Sequence, residues 1–415
     1  MTSTEQQTDF DHHSAEYAER SHEINAELRS RCPVAHSSAH GGFYVVSRYD
    51  DVVAAAKDDE TFASGWHING SSPFGVTIPP SSKPHYPIEM DPPEYGPYRK
   101  LLNPMFAPNV SKSWEPRIQR WVDICIDEVI ETGRFDIVAD LANPVPALFT
   151  CEFLGLPIEK WRLYGDLAHE AIYTPPAERA DVSRRYRAML ETIREVIIDR
   201  RASPRDDAIS TLVTAEIQGE PISDDIILNI IDLIMAGGFD TTTAVTSNAL
   251  IYLAQHPADR TRLIEDPDLI PQASEEFLRH FTPQQALART VTKPITLGGV
   301  DLVPGDRALL SWASANHDEA AFEDPDEVQI DRFPNRHTAF GIGMHRCLGS
   351  HIARAELTTM VRRVLDRMPD FEVVVGEAQR YPTIGVVNGW VKVPATFSPA
   401  ARVGNEHLPA SNPRA

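Results

Sequence analysis

Apolar residues recur every three or four positions over most of the chain, the period of a helix with one buried face. The pattern predicts helices over roughly 14–31, 48–58, 94–106, 114–132, 140–154, 180–201, 223–255, 257–264, 267–280 and 349–367. Shorter apolar runs predict strands at 43–47, 295–297, 307–312 and in pieces of 371–397. The fold class is therefore mostly α with a small β region. Residues 1–12 and 402–415 are polar and aperiodic, which predicts mobile tails around a single domain at 13–401. The proline-rich pieces at 79–97 and 175–176 read as loops inside that domain.

The longest helical pattern breaks its own rules. Ser223 caps it, Asp224 and Asp225 occupy the first turn, and His256-Pro257 stops it. Its middle reads Ala236-Gly237-Gly238-Phe239-Asp240-Thr241-Thr242-Thr243. Each glycine there costs about 1 kcal/mol relative to alanine, and the β-branched threonines add to the strain. Leu233, Ala236, Gly237, Asp240 and Thr241 share one helical face. That face offers apolar surface, then bare backbone that something flat can approach, then a carboxylate and a hydroxyl. The Thr241 hydroxyl is placed to bond back to a carbonyl and distort the helix. A kinked core helix with Asp240 satisfied by an arginine fits the same pattern.

Charge and cysteine usage narrow the function class. The formal net charge of −21 disfavours nucleic acid or an anionic membrane as partner. The sequence has no uninterrupted run of eighteen apolar residues, so no membrane span is expected. The opening MTSTEQQTDF lacks the basic and apolar parts of a signal peptide. Cys32, Cys125, Cys151 and Cys347 are far apart, which predicts neither a disulfide framework nor a zinc site but suits a reducing, cytoplasmic setting. His12 and His13 fall in the tail and are expected at the surface, and the spacing of His345 and His351 does not make a zinc pair. Gly341 and Gly343 lack the strand and spacing of a nucleotide fingerprint, so no fused reductase is expected.

One cysteine stands apart. Cys347 lies in Phe340-Gly341-Ile342-Gly343-Met344-His345-Arg346-Cys347-Leu348-Gly349, where two glycines bend a loop just before a helix starts at Ser350. Unpaired N–H groups at that helix start favour thiolate, a soft ligand for a transition metal. An arbitrary cysteine is more often a small buried hydrophobe; the flanking residues decide otherwise. Phe340, Gly343, Cys347 and Gly349 match the spacing of the cysteine-ligand loop of the cytochrome P450 family, which the segment resembles. Three further motifs follow the family's order, and the likeness runs from about residue 43 to 397, near the soluble bacterial, camphor-hydroxylase-like branch.

The resemblance implies a triangular helical prism enclosing haem b, with Cys347 on the iron. Phe340, Gly341, Gly349, Ala236 and Gly237 would lie against the haem, and Arg99, Arg289 and His345 would meet its propionates, with Tyr95 a weaker candidate. Leu287 stands where some members carry a carboxylate. Thr241 would hydrogen-bond bound O2 and a water, and Asp240 would gate proton delivery. Glu276, Arg279 and Arg332 match a buried ionic clamp that holds the cysteine loop. The substrate pocket would draw on Leu233, Ala236, Gly237, Leu287, Ala288, Ile384, Val386 and Val387, under a lid formed by 64–88 and 170–180. The activity implied is a monooxygenase that hydroxylates or epoxidises a lipophilic terpenoid, steroid or aromatic compound. It would act as a monomer, with O2 and with electrons from a ferredoxin and its NAD(P)H reductase docked on Arg99, Lys100, Arg346 and Arg354. A peroxide-driven or rearranging haem-thiolate enzyme is the alternative within the class, and a non-catalytic haem sensor or carrier the alternative outside it.

Overall fold

The computed structural model describes residues 7–68 and 70–410. Helices make most of the body. The central one, Asp224–Gly238 continued by Asp240–Gln255, packs against Ile270–Phe281 and Ser350–Arg367. Pro108–Val129 lies along Ser350–Arg367, and Pro144–Leu154, Trp161–Tyr173 and Ala180–Ala202 stack in sequence beside them. One large apolar cluster fills this helical part, and two smaller ones lie where it meets the sheet.

The principal sheet has six strands in the order Gln7–Thr8, Val34–Ser37, Phe43–Val46, Arg307–Ser311, Ala286–Val291 and Phe62–Ala63. Its register places Arg289 opposite Ala308 and Leu287 opposite Leu310. The strand Ala286–Val291 follows the Ile270–Phe281 helix closely and is paired on both sides, which holds Arg289 on a rigid inner strand.

Two expectations need correction. Residues 7–12 are not a mobile tail: Gln7–Thr8 adds a parallel strand to the sheet, and Phe10 and His12 are buried. Residues 1–6 lie outside the described part. Polar sequence hid this because a two-residue strand gives no period. At the other end, 402–410 has no regular element but is tethered: the Val403 and Gly404 N–H groups donate to Asp127, and Arg120 pairs with Glu406. Residues 411–415 lie outside the described part.

Two helical stretches are strongly apolar without being unbroken runs. Ile137–Leu154 and Asp224–Gln255 each reach a mean hydropathy of 1.3 over a span-length window, although the first is 83% buried and the second 56% buried within the protein. These are core helices by their packing.

Candidate active site

The central helix is interrupted where its sequence conflicts with helix formation. Its two halves meet at Phe239, whose ψ of −67° departs from the helical mean. Thr241 Oγ1 donates to Gly237 O at 2.7 Å, and Thr243 Oγ1 donates to Ala142 O and Phe239 O. The threonine hydroxyls thereby bond back to carbonyls one turn earlier and, through Ala142 O, tie the distorted turn to a neighbouring segment. Leu233, Ala236, Gly237 and Thr241 keep accessible surface in a helix otherwise sunk in the core, and a Cβ on Gly237 would meet nothing within 4 Å. A band of interior surface, apolar and then bare backbone, therefore runs along one face.

Asp240 turns inward from that band. It is 1% exposed, and its Oδ1 accepts from Tyr381 Oη at 2.7 Å and from His169 Nδ1 at 2.6 Å. Among the described residues no arginine pairs with it. Oδ2 and the His169 Nε2 are buried without a hydrogen-bond partner among the described residues. Burial, with the Asp240 charge adding, pushes the Tyr381 hydroxyl well above its ordinary range, so it remains a donor.

His169 and Tyr381 were not read from the sequence. The helix Trp161–Tyr173 that carries His169 was missed because Gly165 interrupts its propensity. Gly165 is there for packing: a Cβ would stand 2.7 Å from Ala147 Cβ on the neighbouring helix. The apolar spacing of Trp161, Tyr164 and Ala168 was the available signal.

The cysteine loop is built from backbone constraints. Gly341 and Gly343 have φ of 65° and 78°, and a Cβ on Gly343 would lie 2.3 Å from Ala56 O. The Cys347 N–H donates to Phe340 O at 2.7 Å, and Gly341 N–H to Thr338 O at 2.7 Å. Cys347 shows accessible surface, yet burial dominates its thiol and pushes the pKa up, against the Gly349 N–H and the charges of Arg99, Arg346 and Arg354. The two observations agree when that surface opens onto an interior space. A metal bound there would take the place of the thiol proton.

Three cationic or donor groups gather near the loop. Arg289 is buried, donates to Ala288 O, and has no carboxylate in ion-pair range among the described residues. Burial holds it down to about 10, with Asp91 opposing. Burial lowers His345 to about 3, and the charges of Arg289 and Arg99 press on it further; its Nε2 is buried and unpartnered among the described residues. Arg99 donates to Arg346 O, and the Tyr95 ring lies tilted against His345, 4.4 Å between centroids, while its hydroxyl donates to Met344 O. A buried arginine lacking a counter-ion beside an orphaned imidazole fits an anionic ligand carrying carboxylates. Together with the open Cys347 sulfur and the bare Gly237 backbone, these residues fit an iron porphyrin.

Glu276, Arg279 and Arg332 meet in the interior. Arg279 grips both Glu276 oxygens at 2.8 Å, and Arg332 Nε donates to them at 3.1 and 3.0 Å. The remaining guanidinium donors reach carbonyls of Asn316, Glu323, Pro325 and Glu327, so the charges are paired and hydrogen-bonded throughout.

Other expected residues sit differently. Ala288 and Ile384 are fully buried and Val387 nearly so, packed in the cluster with Phe10, Tyr17 and Phe43. They present almost no surface to a cavity, whereas Leu287 and Val386 are partly accessible. Arg354 does not belong to a free basic patch: its guanidinium pairs with Glu275 at 2.6 and 2.9 Å and stacks on Phe340. Glu356 is a further missed group, a carboxyl buried on the helix after the cysteine and raised to about 8 by burial, against a hydrogen bond from Thr242.

Comparison with known proteins accounts for this arrangement. A family model described as Cytochrome P450 matches residues 158–387. The steroid C26-monooxygenase of Mycolicibacterium smegmatis is 35% identical over 367 residues, 87% of this chain and 89% of that protein. Among solved structures, Mycobacterium marinum cytochrome P450 CYP268A2 in complex with pseudoionone superposes with a TM-score of 0.87 at 27% identity, covering 95% of this chain and 100% of that one. CYP109E1 from Bacillus megaterium in complex with testosterone gives 0.83 at 29% identity, covering 93% and 100%. The interrupted central helix, the glycine-bent cysteine loop and these likenesses make the chain a member of the cytochrome P450 family, a monooxygenase that uses haem b.

Proposed function

We propose that the protein hydroxylates or epoxidises a lipophilic small molecule of the steroid or terpenoid class, drawing electrons from a ferredoxin. The observation that carries the reading is the buried Asp240 carboxylate, aimed by His169 and Tyr381 beside Thr241 on the interrupted helix. Cys347 would hold the iron of a bound haem, which would supply the O2-activating chemistry.

The chain's own residues then have four tasks. Arg99, Arg289 and His345 hold the propionates. Leu233, Ala236, Gly237, Leu287 and Val386 face the substrate with apolar surface and exclude water. Thr241 spends its hydroxyl proton on Gly237 O, so its lone pairs accept from a water. Asp240 has one oxygen fixed and Oδ2 open, a geometry that accepts a proton and passes it on. Inserting one atom of O2 into a C–H bond and reducing the other to water consumes two electrons and two protons. A dry pocket needs such a relay to deliver the protons.

A steroid substrate is favoured by the M. smegmatis relative's named activity and by testosterone in the CYP109E1 complex. The test is a panel of steroids and terpenoids, read first by substrate-induced shifts of the haem absorption and then by product formation with a ferredoxin and its reductase. Oxygenated product from one of these classes is expected. Turnover with hydrogen peroxide alone, and none with ferredoxin, overturns the proposal. Absence of the thiolate-type absorption band in the reduced carbon monoxide complex overturns the role of Cys347.

A further inference from the structure

His12 and His13 are adjacent in the chain and were expected at the surface. Instead they enter the interior beside His40 and Asp11. The His12 and His13 rings lie 4.2 Å apart, and His40 stands 5.6 and 5.4 Å from them. His12 is 3% exposed. Its Nε2 and that of His13 each lie 2.9 Å from Ile78 O. A carbonyl only accepts, so each Nε2 carries the proton and each Nδ1 a lone pair. Both Nδ1 atoms are buried without a partner among the described residues.

A buried, unpartnered acceptor on a fixed tautomer is costly unless something binds it. His40 Nε2 lies 2.8 Å from Asp11 Oδ1, and the His13 N–H donates to the same oxygen at 2.8 Å, which orients the carboxylate. One ligand atom each from Asp11, His12 and His40 falls within 4.8 Å of the other two. Ligand atoms around a tetrahedral ion stand roughly 3.3 Å apart, given metal–nitrogen and metal–oxygen bonds of about 2.0–2.2 Å. A small inward shift of the exposed His40 closes the difference.

We propose that Asp11, His12 and His40 form a metal site separate from the haem, taking a divalent ion of zinc's type with two imidazoles, one carboxylate and water. The donor set selects zinc or a similar late transition ion over magnesium or calcium, which prefer oxygen. The Nε2–H···O=C bond of His12 is the outer contact such ligands usually make, and it fixes ring and tautomer. The ion would join the N-terminal segment to the 39–41 turn and, through Ile78, to the long loop before Tyr95.

A rival cluster, His22, His280 and His317, also meets the distance test. That group has three imidazoles, and Asp326 lies 4.0 Å from His22 Nδ1. The Asp11 group brings its own carboxylate as a ligand, and a variant in each cluster tells the two apart.

The test uses chelator-treated holoenzyme, equilibrium dialysis against zinc chloride with metal analysis, and X-ray absorption at the zinc edge, where haem iron does not contribute. One zinc per chain with imidazole scattering is expected, and H40A and D11N should each weaken binding by at least about tenfold with the haem spectrum intact. Both replaced residues are partly exposed, so folding should survive, and the haem spectrum checks it. Unchanged zinc affinity in both variants overturns the proposal. So does the absence of stoichiometric zinc at micromolar free metal, or loss of the zinc in H280N but not in H40A.

Discussion

At the residue scale, the proton path rests on one carboxylate and its two unexpected partners. Asp240 is held by His169 from the Trp161–Tyr173 helix and by Tyr381 from the C-terminal segment. Replacing it by asparagine keeps the shape but removes the group that carries a proton. D240N should lower kcat about 100-fold, within the range for loss of general acid–base catalysis. Substrate-induced spectral shifts should keep their midpoint. A D240N enzyme with unaltered turnover would remove Asp240 from the path. Glu356 makes a separate prediction on stability. Its folded-state pKa is raised to about 8 from 4.5. The native state keeps a proton that the unfolded chain releases above about pH 4.5, so this contribution is full below that pH and is lost as pH rises through 8. Glu275 does not confuse the reading: although burial raises it, His337 and Arg354 bring it down to about 2, below this window. Buried histidines such as His345 and His280, both lowered to about 3, act with the opposite sign below about pH 6.5. The Glu356 contribution is therefore read as a difference in thermal melts of the holoenzyme: the Tm of E356Q relative to wild type should rise between pH 5 and 8.

At the element scale, the helices with an uninterrupted apolar period were legible in the sequence, and so was the interruption in the central one. Ala180–Ala202 and Ser350–Arg367 fall within a residue or so of the ranges read from periodicity. What the sequence hid has a common cause. Gly165 and the two-residue strands Gln7–Thr8 and Phe62–Ala63 exist because of tertiary neighbours, and local pattern carries no record of those. The same divide runs through the site. Residues on one continuous motif, such as Gly343 and Cys347, could be read together. Asp240's partners lie 71 and 141 positions away and could not. The cysteine loop offers a direct check of how backbone geometry governs ligand placement. Gly343 combines a positive φ with contact against Ala56 O, so G343A meets strain and a clash that cannot both relax. The holoenzyme should lose haem on heating at a lower temperature, and the thiolate-type carbon monoxide band should shrink. G376A, remote from the loop and with nothing within 4 Å of a Cβ, should leave both nearly unchanged.

At the scale of the whole molecule, net charge and local charge point in different directions. The chain carries −21 overall, which would repel an acidic ferredoxin at long range. Attraction must then come from a local field on the face near Cys347. Of the four cations expected there, Arg354 is neutralised by Glu275 and Arg99 is turned to Arg346 O. Arg346 and Lys100 remain exposed, and no salt bridge to either occurs among the described residues. Reversing both, R346E with K100E, should raise the ferredoxin KM by about tenfold or more, because charges at an interface rim act chiefly on encounter. The effect should shrink as salt rises, since screening over about 10 Å at 0.1 M weakens the wild-type attraction and the variant's repulsion alike. Substrate-induced spectral shifts should not move, which separates docking from damage to the pocket. R354E is the complementary measurement. It breaks a partly buried pair that braces Phe340, so it should lower haem retention at every ionic strength. A salt-dependent change in KM from R354E, with none from the double reversal, would place the docking surface elsewhere.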